Sequence, residues 1–175
     1  MTYSSETPRT GLRALEPEDL KLLYDVENDP NTWSYGPAPA FYSRNTLRRY
    51  IESATGDIFA DGQLRLVATL TADSTAIGLA DLTSFDAFNM RAEVGLLLLP
   101  QYRGQGFAAD ILRQLAAHAR RLHLHQLYAI VAADNAAAAA TFAAAGFSNT
   151  ARLTEWLHTD YGYTDAMVWQ VSVEN

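Results

Sequence analysis

One stretch, Glu93 to Ala108, has the residue types and the spacing to bind an anion. Its apolar run Leu96–Leu99 predicts a strand buried on both faces, and Pro100 ends the strand because proline has no amide hydrogen for the sheet. The loop Arg103–Gly106 follows, and an amphipathic helix comes next. A glycine loop at a helix N-terminus points free backbone N–H groups at an anion, usually a phosphate, and Arg103 adds a positive charge.

Composition and charge restrict the class of protein. The chain has 175 residues, of which 49% are hydrophobic and 19% charged, so we expect one globular domain rather than a disordered chain. The absence of cysteine excludes disulfides, thiolate metal sites and a cysteine nucleophile. A net charge of −7, from 20 acidic and 13 basic residues, argues against nucleic-acid binding and favours cationic substrates such as amines.

The termini and the hydropathy pattern predict a protein outside the membrane. No apolar run approaches the ~20 residues that a membrane helix needs, and Met1–Pro8 is too polar for a signal peptide. We therefore expect a cytoplasmic protein with no membrane partner. Residues 1–9 are predicted to form a flexible tail, and residues 10–175 a single domain.

The elements that must position the loop follow from hydrophobic periodicity and from breakers. A right-handed crossover through the helix after the loop makes the strand Leu127–Val131 parallel to the strand that precedes the loop. Asn135 caps an alanine-rich helix that Gly146 ends. The other predicted elements are strands at Gly11–Leu15, Gln63–Leu70, Ala76–Phe85, Phe147–Glu155 and Ala166–Val173, and helices that begin at Glu16, Ser43 and Phe107.

Two motifs resemble those of one enzyme family. Gln101-x-x-Gly104-x-Gly106 is similar to the Q/R-x-x-G-x-G/A motif of the GNAT acyl-CoA N-acyltransferases. A second stretch resembles the N-x-x-A-x-x-x-Y-x-x-x-G-F motif of that family. It consists of Asn135, six Ala/Thr residues, Phe142 and then Gly146-Phe147. Phe142 stands where many members carry a tyrosine, whose hydroxyl can protonate the leaving thiolate.

The resemblance implies an α/β (α+β) domain with the GNAT fold, a mixed and mostly antiparallel sheet with helices on both faces. It also implies acetyl-CoA as co-substrate, without a metal. The backbone of the strand before the loop is then expected to pair with the pantetheine arm, and the loop with the pyrophosphate. The residues expected to bind coenzyme A are Leu97, Leu98, Leu99, Arg103, Gly104, Gln105, Gly106, Phe107, Ala108, Asn135 and Phe142.

The resemblance further implies direct attack of a primary amine on the thioester, with Glu93 and Glu155 as the carboxylates that remove the proton. The opening Leu12–Leu20 and the late Tyr163-x-Asp165-Ala166 are similar to the N-terminal acetyltransferases of ribosomal proteins (RimJ/RimL type). Glu93 and Glu155 also fit the spermidine N-acetyltransferases. The expected acceptor is a protein N-terminus or a small amine, with a polyamine as the alternative. The protein could also form a homodimer, a question that the resemblance leaves open.

Other interpretations remain beside this one. Phe142 is compatible with a non-catalytic module that binds acyl-CoA and senses it. The spacing Gly104-x-Gly106-x-x-Ala109 also fits a dinucleotide fingerprint with Asp134 on the ribose, although too few residues follow for that fold. His123-x-His125 could ligate a metal, but surface histidines at a helix end are favoured because no third ligand is evident. The aromatic residues of one segment either line an acceptor pocket or pack together within a loop. They are Trp33, Tyr35, Phe41 and Tyr42.

Overall fold

The computed structural model of the chain describes residues 9–31 and 40–173, arranged around one seven-stranded sheet with the order β1-β2-β3-β4-β5-β7-β6. The strands are β1 (Thr10–Ala14), β2 (Leu64–Leu70), β3 (Ala76–Asp86), β4 (Arg91–Leu98), β5 (Gln126–Ala132), β6 (Ser148–Thr159) and β7 (Gly162–Ser172). The helices are α1 (Leu20–Glu27), α2 (Arg44–Ser53), α3 (Ile58–Asp61), α4 (Phe107–Arg121) and α5 (Ala136–Ala144).

The sheet is mixed, with one parallel junction at its centre. Strands β1 to β4 form an antiparallel meander, β4 and β5 are parallel, and β7 and β6 continue antiparallel to β5. The parallel pair arises because α4 connects β4 to β5, and a strand that returns through a helix must run in the same direction as the first. The predicted mixed, mostly antiparallel sheet of the GNAT fold is confirmed.

The larger hydrophobic core lies between the sheet and α4 with α5, on what we call the α4/α5 face. The stripe predicted for α4 is confirmed, since Ile111, Leu112, Leu115 and Ala119 are all at most 1% exposed. These side chains pack against inward-facing residues of β2 to β5. The helix that follows the glycine loop is thus held rigidly on the sheet, and its N-terminus cannot shift away from the end of β4.

A smaller core lies on the opposite surface, the α1/α2 face. There Leu23 and Val26 of α1 and Leu47 and Ile51 of α2 cover Val67, Leu79, Leu97 and Leu99. Ser43 caps α2 as predicted, because its side chain accepts a hydrogen bond from the Thr46 N–H at 3.0 Å. Together the two helices cover the meander half of the sheet on this face.

Two features differ from the sequence-based expectation. The short helix α3 was not predicted, because its four residues are too few to show a helical period. Strands β6 and β7 are also longer than predicted, since they continue to a tight turn at Asp160-Tyr161. A bulge in β6 at Leu153–Leu157 breaks the alternation of side chains there and conceals the strand in the sequence.

No helix in the described ranges combines the length and the hydropathy that a membrane crossing requires.

A buried carboxylate ties β1 to the start of α1. Asp19, 7% exposed, accepts two hydrogen bonds from the Arg13 guanidinium, at 2.6 and 2.8 Å, and one from the Glu16 N–H at 2.9 Å. Burial alone would raise the pKa of the Asp19 carboxyl, but the bonds from Arg13 and Glu16 outweigh burial and lower this pKa.

We predict that Asp19→Asn lowers the free energy of unfolding by roughly 1–3 kcal/mol at pH 7, because the charged acceptor of both donors is lost. A lowered native pKa stabilises the fold above the unfolded value of about 3.9. The difference between the two proteins should therefore persist at neutral pH and shrink as the pH falls through the native pKa of Asp19.

Urea denaturation across this pH range measures the effect. Asp25→Asn is the matched control, since Asp25 belongs to an exposed i,i+4 pair with Lys21 and should cost less than about 0.5 kcal/mol. An equal loss in the two variants would contradict the prediction.

Candidate active site

The centre of the site is a gap between β4 and β5. These strands pair only over three residues, Arg91–Glu93 with Gln126–Tyr128, and beyond that point they separate. The Leu99 N–H donates to Ile77 of the β3 side at 2.9 Å. Because backbone groups alternate between the two edges of an antiparallel strand, the Val94 carbonyl and the backbone groups of Leu96 and Leu98 face the gap. A ligand in the gap can therefore pair with a free strand edge.

The glycine loop lies at the open end of this gap. Gly104 and Gly106 have φ angles of +71° and +82°, a left-handed conformation that side chains disfavour. Gly106 is also the N-cap residue of the fifteen-residue helix α4, and no side chain caps its first N–H groups. These donors and the positive end of the helix dipole suit a phosphate.

A cavity of about 240 Å³ joins the loop to α5. Five of the residues predicted to bind coenzyme A line it, together with small side chains that leave room for a ligand. The lining residues are Leu98, Gly104, Gly106, Phe107, Ala108, Ala109, Ala140, Thr141 and Ala144. The free strand edge, the loop and this cavity are contiguous, so the residues present fit an extended ligand with a phosphate at one end.

Two arginines brace the loop. The Arg103 Nε atom donates to the Leu98 carbonyl at 2.8 Å, which turns this side chain back toward β4. Arg9 was assigned to the tail, but its Nη2 atom donates to the Gln105 carbonyl at 3.1 Å and its Cζ atom lies 4.8 Å from the centre of the Phe107 ring. No local pattern could have revealed Arg9, because its partners are about a hundred residues away.

The other predicted coenzyme-binding residues have different surroundings. The side chains of Leu97 and Leu99 pack on the α1/α2 face, and the Leu99 N–H is occupied by Ile77. Gln105 braces the loop through its Nε2 atom, which donates to the Gln101 carbonyl at 2.8 Å. Leu96, which was not predicted, presents its backbone to the gap instead of Leu97.

Residues of the second motif serve the fold of α5. The Asn135 side chain accepts from the Ala138 N–H at 3.0 Å, as an N-cap does. Phe142 is 9% exposed, and its ring meets Phe147 at 5.1 Å and Trp169 at 6.4 Å between centroids. The phenyl ring is thus part of the α4/α5 core and can supply no proton. Contact of either residue with coenzyme A stays a prediction.

Glu93 lies where the gap closes. It is half-buried on the α1/α2 face, and its Oε2 atom accepts a hydrogen bond from Ser84 Oγ at 3.1 Å. Five residues of strand separate it from Leu98 at the glycine loop, a span of about 17 Å at 3.3 Å per residue. A ligand that enters at the loop and follows the strand edge therefore ends beside Glu93.

Glu155 lies in a different part of the molecule. It is exposed in the bulge of the edge strand β6, with φ of +48°, and its N–H donates to Asp165 Oδ1 at 2.8 Å. Three strand spacings and about five residues along the strands separate it from Glu93, which amounts to roughly 20 Å. The structure does not bring the two candidate bases together, so a single amine can meet only one of them.

A second carboxylate lies near Glu93 on the α1/α2 face. Asp81 of β3 is opposite Gly95, two residues from Glu93, and a Cβ atom at Gly95 would lie 3.3 Å from Asp81 Cβ. Arg65 holds Asp81 through its Nε and Nη2 atoms at 2.8 and 3.0 Å. Burial raises the pKa of Asp81, against the effect of Arg65. The Asp81 side chain lies over Gly95, so the two acids are on the same face of the sheet.

The alternative interpretations can now be compared with the fold. A dinucleotide-binding interpretation is wrong, because its doubly wound fold needs a mostly parallel sheet and β4–β5 is the one parallel pair in the described sheet. His123 and His125 are both exposed at the end of α4, and the described residues contain no cluster of three metal-ligating side chains. Trp33 and Tyr35 lie outside the described residues, while Phe41 and Tyr42 are exposed.

Comparison with known proteins agrees with this geometry. The sequence model of the acetyltransferase (GNAT) domain family matches residues 9–148. A spermidine N(1)-acetyltransferase from Vibrio cholerae serotype O1 is 28% identical over 155 residues, which cover 88% of this chain and 87% of the relative. The enzyme of the same name from Escherichia coli strain K12 is 26% identical over 160 residues, 89% of this chain and 82% of the relative.

A solved structure extends the likeness to three dimensions. The crystal structure of the Vibrio cholerae spermidine N-acetyltransferase in complex with CoA and spermine superimposes with a TM-score of 0.83, at 25% identity and with 95% and 96% of the two chains covered. The glycine loop, the separated central strands and the family match all point to the same chemistry. The chain belongs to the GNAT acetyltransferase family and transfers an acetyl group from acetyl-CoA to an amine.

Proposed function

We propose that the acceptor is a small aliphatic amine with more than one positive charge, a polyamine of the spermidine class. The observation that carries the proposal is a pair of carboxylates on one face of the sheet, Asp81 opposite Gly95 and Glu93 two residues away where the central gap closes. Two relatives named as spermidine N-acetyltransferases support it, as does the net charge of −7.

A protein N-terminus, the other acceptor predicted from the sequence, has less support. The RimJ/RimL-like opening of the chain motivates it, but the similar proteins described above act on spermidine by name. The sequence has no acidic residue from Tyr35 to Phe41 that could hold a cation, which weighs against a polyamine. Most of that segment lies outside the described residues, whereas Asp81 and Glu93 supply acidic groups elsewhere.

In the proposed mechanism Glu93 is the general base. The amine nitrogen attacks the thioester carbonyl directly, and Glu93 accepts the proton that the ammonium must lose. The Leu96 N–H, on the free edge of β4, donates to the carbonyl oxygen as negative charge develops there. The rest of the acceleration comes from holding the thioester in a fixed position along the strand edge, where the amine can attack it. A thiolate is a good leaving group, so no tyrosine at position 142 is required.

We keep two further points as proposals. A cytoplasmic location fits the composition. A homo-oligomer fits the exposed edge strand β6, of which only Leu153 and Leu157 are even partly buried, and a related protein from Vibrio cholerae is described as dodecameric.

The proposed acceptor class predicts the outcome of an amine panel. Thiol released from acetyl-CoA should be fastest with spermidine and spermine, slower with a monoamine and with N-terminal peptides, and absent with hydroxyl acceptors. Comparable rates for peptides and polyamines would overturn the polyamine proposal. Release with no amine at all, alongside tight binding of acetyl-CoA, would favour the sensing module.

Gly104→Ala is expected to weaken binding of acetyl-CoA about tenfold or more, because a Cβ atom holds the phosphate away from the backbone donors. Gly62→Ala is the matched control, since both glycines have open space around them and φ angles of +71° and +70°. Both variants should lose similar stability, roughly 1–2 kcal/mol. Calorimetric titration should then show unchanged affinity in Gly62→Ala only, and equal affinities in both variants would refute the predicted site.

Glu93→Gln is expected to lower kcat by about 10²-fold, because glutamine keeps the size of the side chain but cannot accept the proton. Glu155→Gln should leave kcat within about twofold, since Glu155 lies roughly 20 Å from the point where the gap closes. Steady-state kinetics with a saturating amine tests both. The reverse ranking would move the base to Glu155, and two unaffected variants would mean that the proton leaves through solvent.

A further inference from the structure

One residue inside a strand is held in a strained backbone conformation. Ser84 has φ of +49°, although it lies within β3 and is not glycine. It occupies the irregular section between Thr83 and Asp86, where the β3–β4 register shifts. The left-handed region is unfavourable for a residue with a Cβ atom, and such strain persists where the surrounding structure imposes it, often at functional sites.

Most other left-handed residues have a simple local reason for their conformation. In the described ranges, the remaining non-glycine residues with positive φ are Ser74, Met90, His123 and Glu155. Ser74 and Met90 lie in connections between strands, and His123 lies between α4 and β5. A tight turn explains each of these three. Ser84 instead takes its left-handed conformation within the bulge between Thr83 and Asp86, and this bulge determines where its side chain points.

The bulge directs the Ser84 hydroxyl at Glu93. Ser84 Oγ donates to Glu93 Oε2 at 3.1 Å, and the Tyr128 side chain of β5 lies within hydrogen-bonding reach of Ser84. Burial and the Glu93 carboxylate raise the pKa of Tyr128, so the phenol stays protonated at neutral pH. A regular strand would carry residue 84 on the opposite face from Thr83, and the hydroxyl could not reach Glu93.

The remaining charges around Glu93 are already paired with each other. Arg91 of β4 forms an ion pair with Asp86 of β3, with Nη2 and Oδ2 3.1 Å apart. Tyr128 is the ionisable group that β5 contributes at this level. The Ser84 hydroxyl is therefore the neutral donor that fixes the orientation of the Glu93 carboxylate without forming a salt bridge that would suppress its basicity.

We propose that Ser84, supported by Tyr128, is a positioning residue that holds the Glu93 carboxylate toward the point where the gap between β4 and β5 closes. The inference rests on the proposed function, in which Glu93 is the general base. The backbone strain at Ser84 is the cost of this orientation, because only the left-handed bulge brings the hydroxyl to the carboxylate. Activity and stability should consequently respond to Ser84 in opposite directions.

Ser84→Gly is the test, because glycine accepts the backbone conformation and lacks the hydroxyl. We expect the melting temperature to stay equal or rise by about 2–4 °C. The rate constant kcat should fall about tenfold, as expected for a misplaced base. The KM for acetyl-CoA should not change.

Ser74→Gly is the matched control, because Ser74 is also a left-handed serine, with φ of +61° in the connection between β2 and β3. It should show a similar gain in melting temperature with unchanged kcat. Tyr128→Phe should lower kcat as Ser84→Gly does, but by less. An unchanged kcat in Ser84→Gly, or an equal loss of kcat in Ser74→Gly, would overturn the inference.

Glu93→Gln separates this inference from the proposal on which it rests. If Glu93→Gln leaves kcat intact, Glu93 is not the base and both proposals fail. If Glu93→Gln slows the reaction while Ser84→Gly does not, the base assignment stands and the positioning role of Ser84 alone is wrong.

Discussion

The unpaired backbone between β4 and β5 is the constraint on which the rest of the site depends. Buried N–H and C=O groups must find partners, and a parallel pair that stops after Glu93 leaves the Val94 carbonyl, both backbone groups of Leu96 and the Leu98 N–H without a strand opposite them. An extended ligand with amide groups can take the place of the missing strand. The acyl donor of the GNAT family is such a ligand, and the gap fits it.

The surrounding elements keep this gap open and give it direction. Helix α4 is held on the sheet by fully buried side chains, and its N-terminus marks the phosphate end. Arg9 and Arg103 fix the loop through backbone carbonyls, so their side chains shape the loop as well as adding charge. At the closed end, β3 presents Asp81 and a strained Ser84 beside Glu93. One end of the gap therefore suits an anion and the other a cation, which matches a donor with phosphates and an amine acceptor.

Some site residues can be recognised from their neighbours in the sequence, and others only from contacts with distant parts of the chain. The Gly104–Gly106 loop was recognised from the sequence because its function needs particular backbone angles, which only glycine adopts easily. Arg9, Ser84 and Tyr128 were not recognised, since each acquires its role through a partner on another element. Glu93 and Glu155 were both predicted as candidate bases by resemblance, and Glu155 lies in the bulge of the edge strand β6, far from Glu93. Phe142 packs in the aromatic core, and its contact with coenzyme A stays a prediction.

By itself the sequence determined the order and type of nearly all elements, the parallel junction at the centre of the sheet and the glycine loop at the N-terminus of α4. These depend on hydrophobic period, breakers and glycine spacing, which act within a few residues of the chain. Only the tertiary structure decided how far β4 and β5 pair, which backbone groups remain free, and which carboxylate stands where the gap closes. Strand register and bulges control these features, and a shift of one residue moves a side chain to the opposite face. Local sequence carries little information about such shifts, because they arise from contacts between residues distant in the chain.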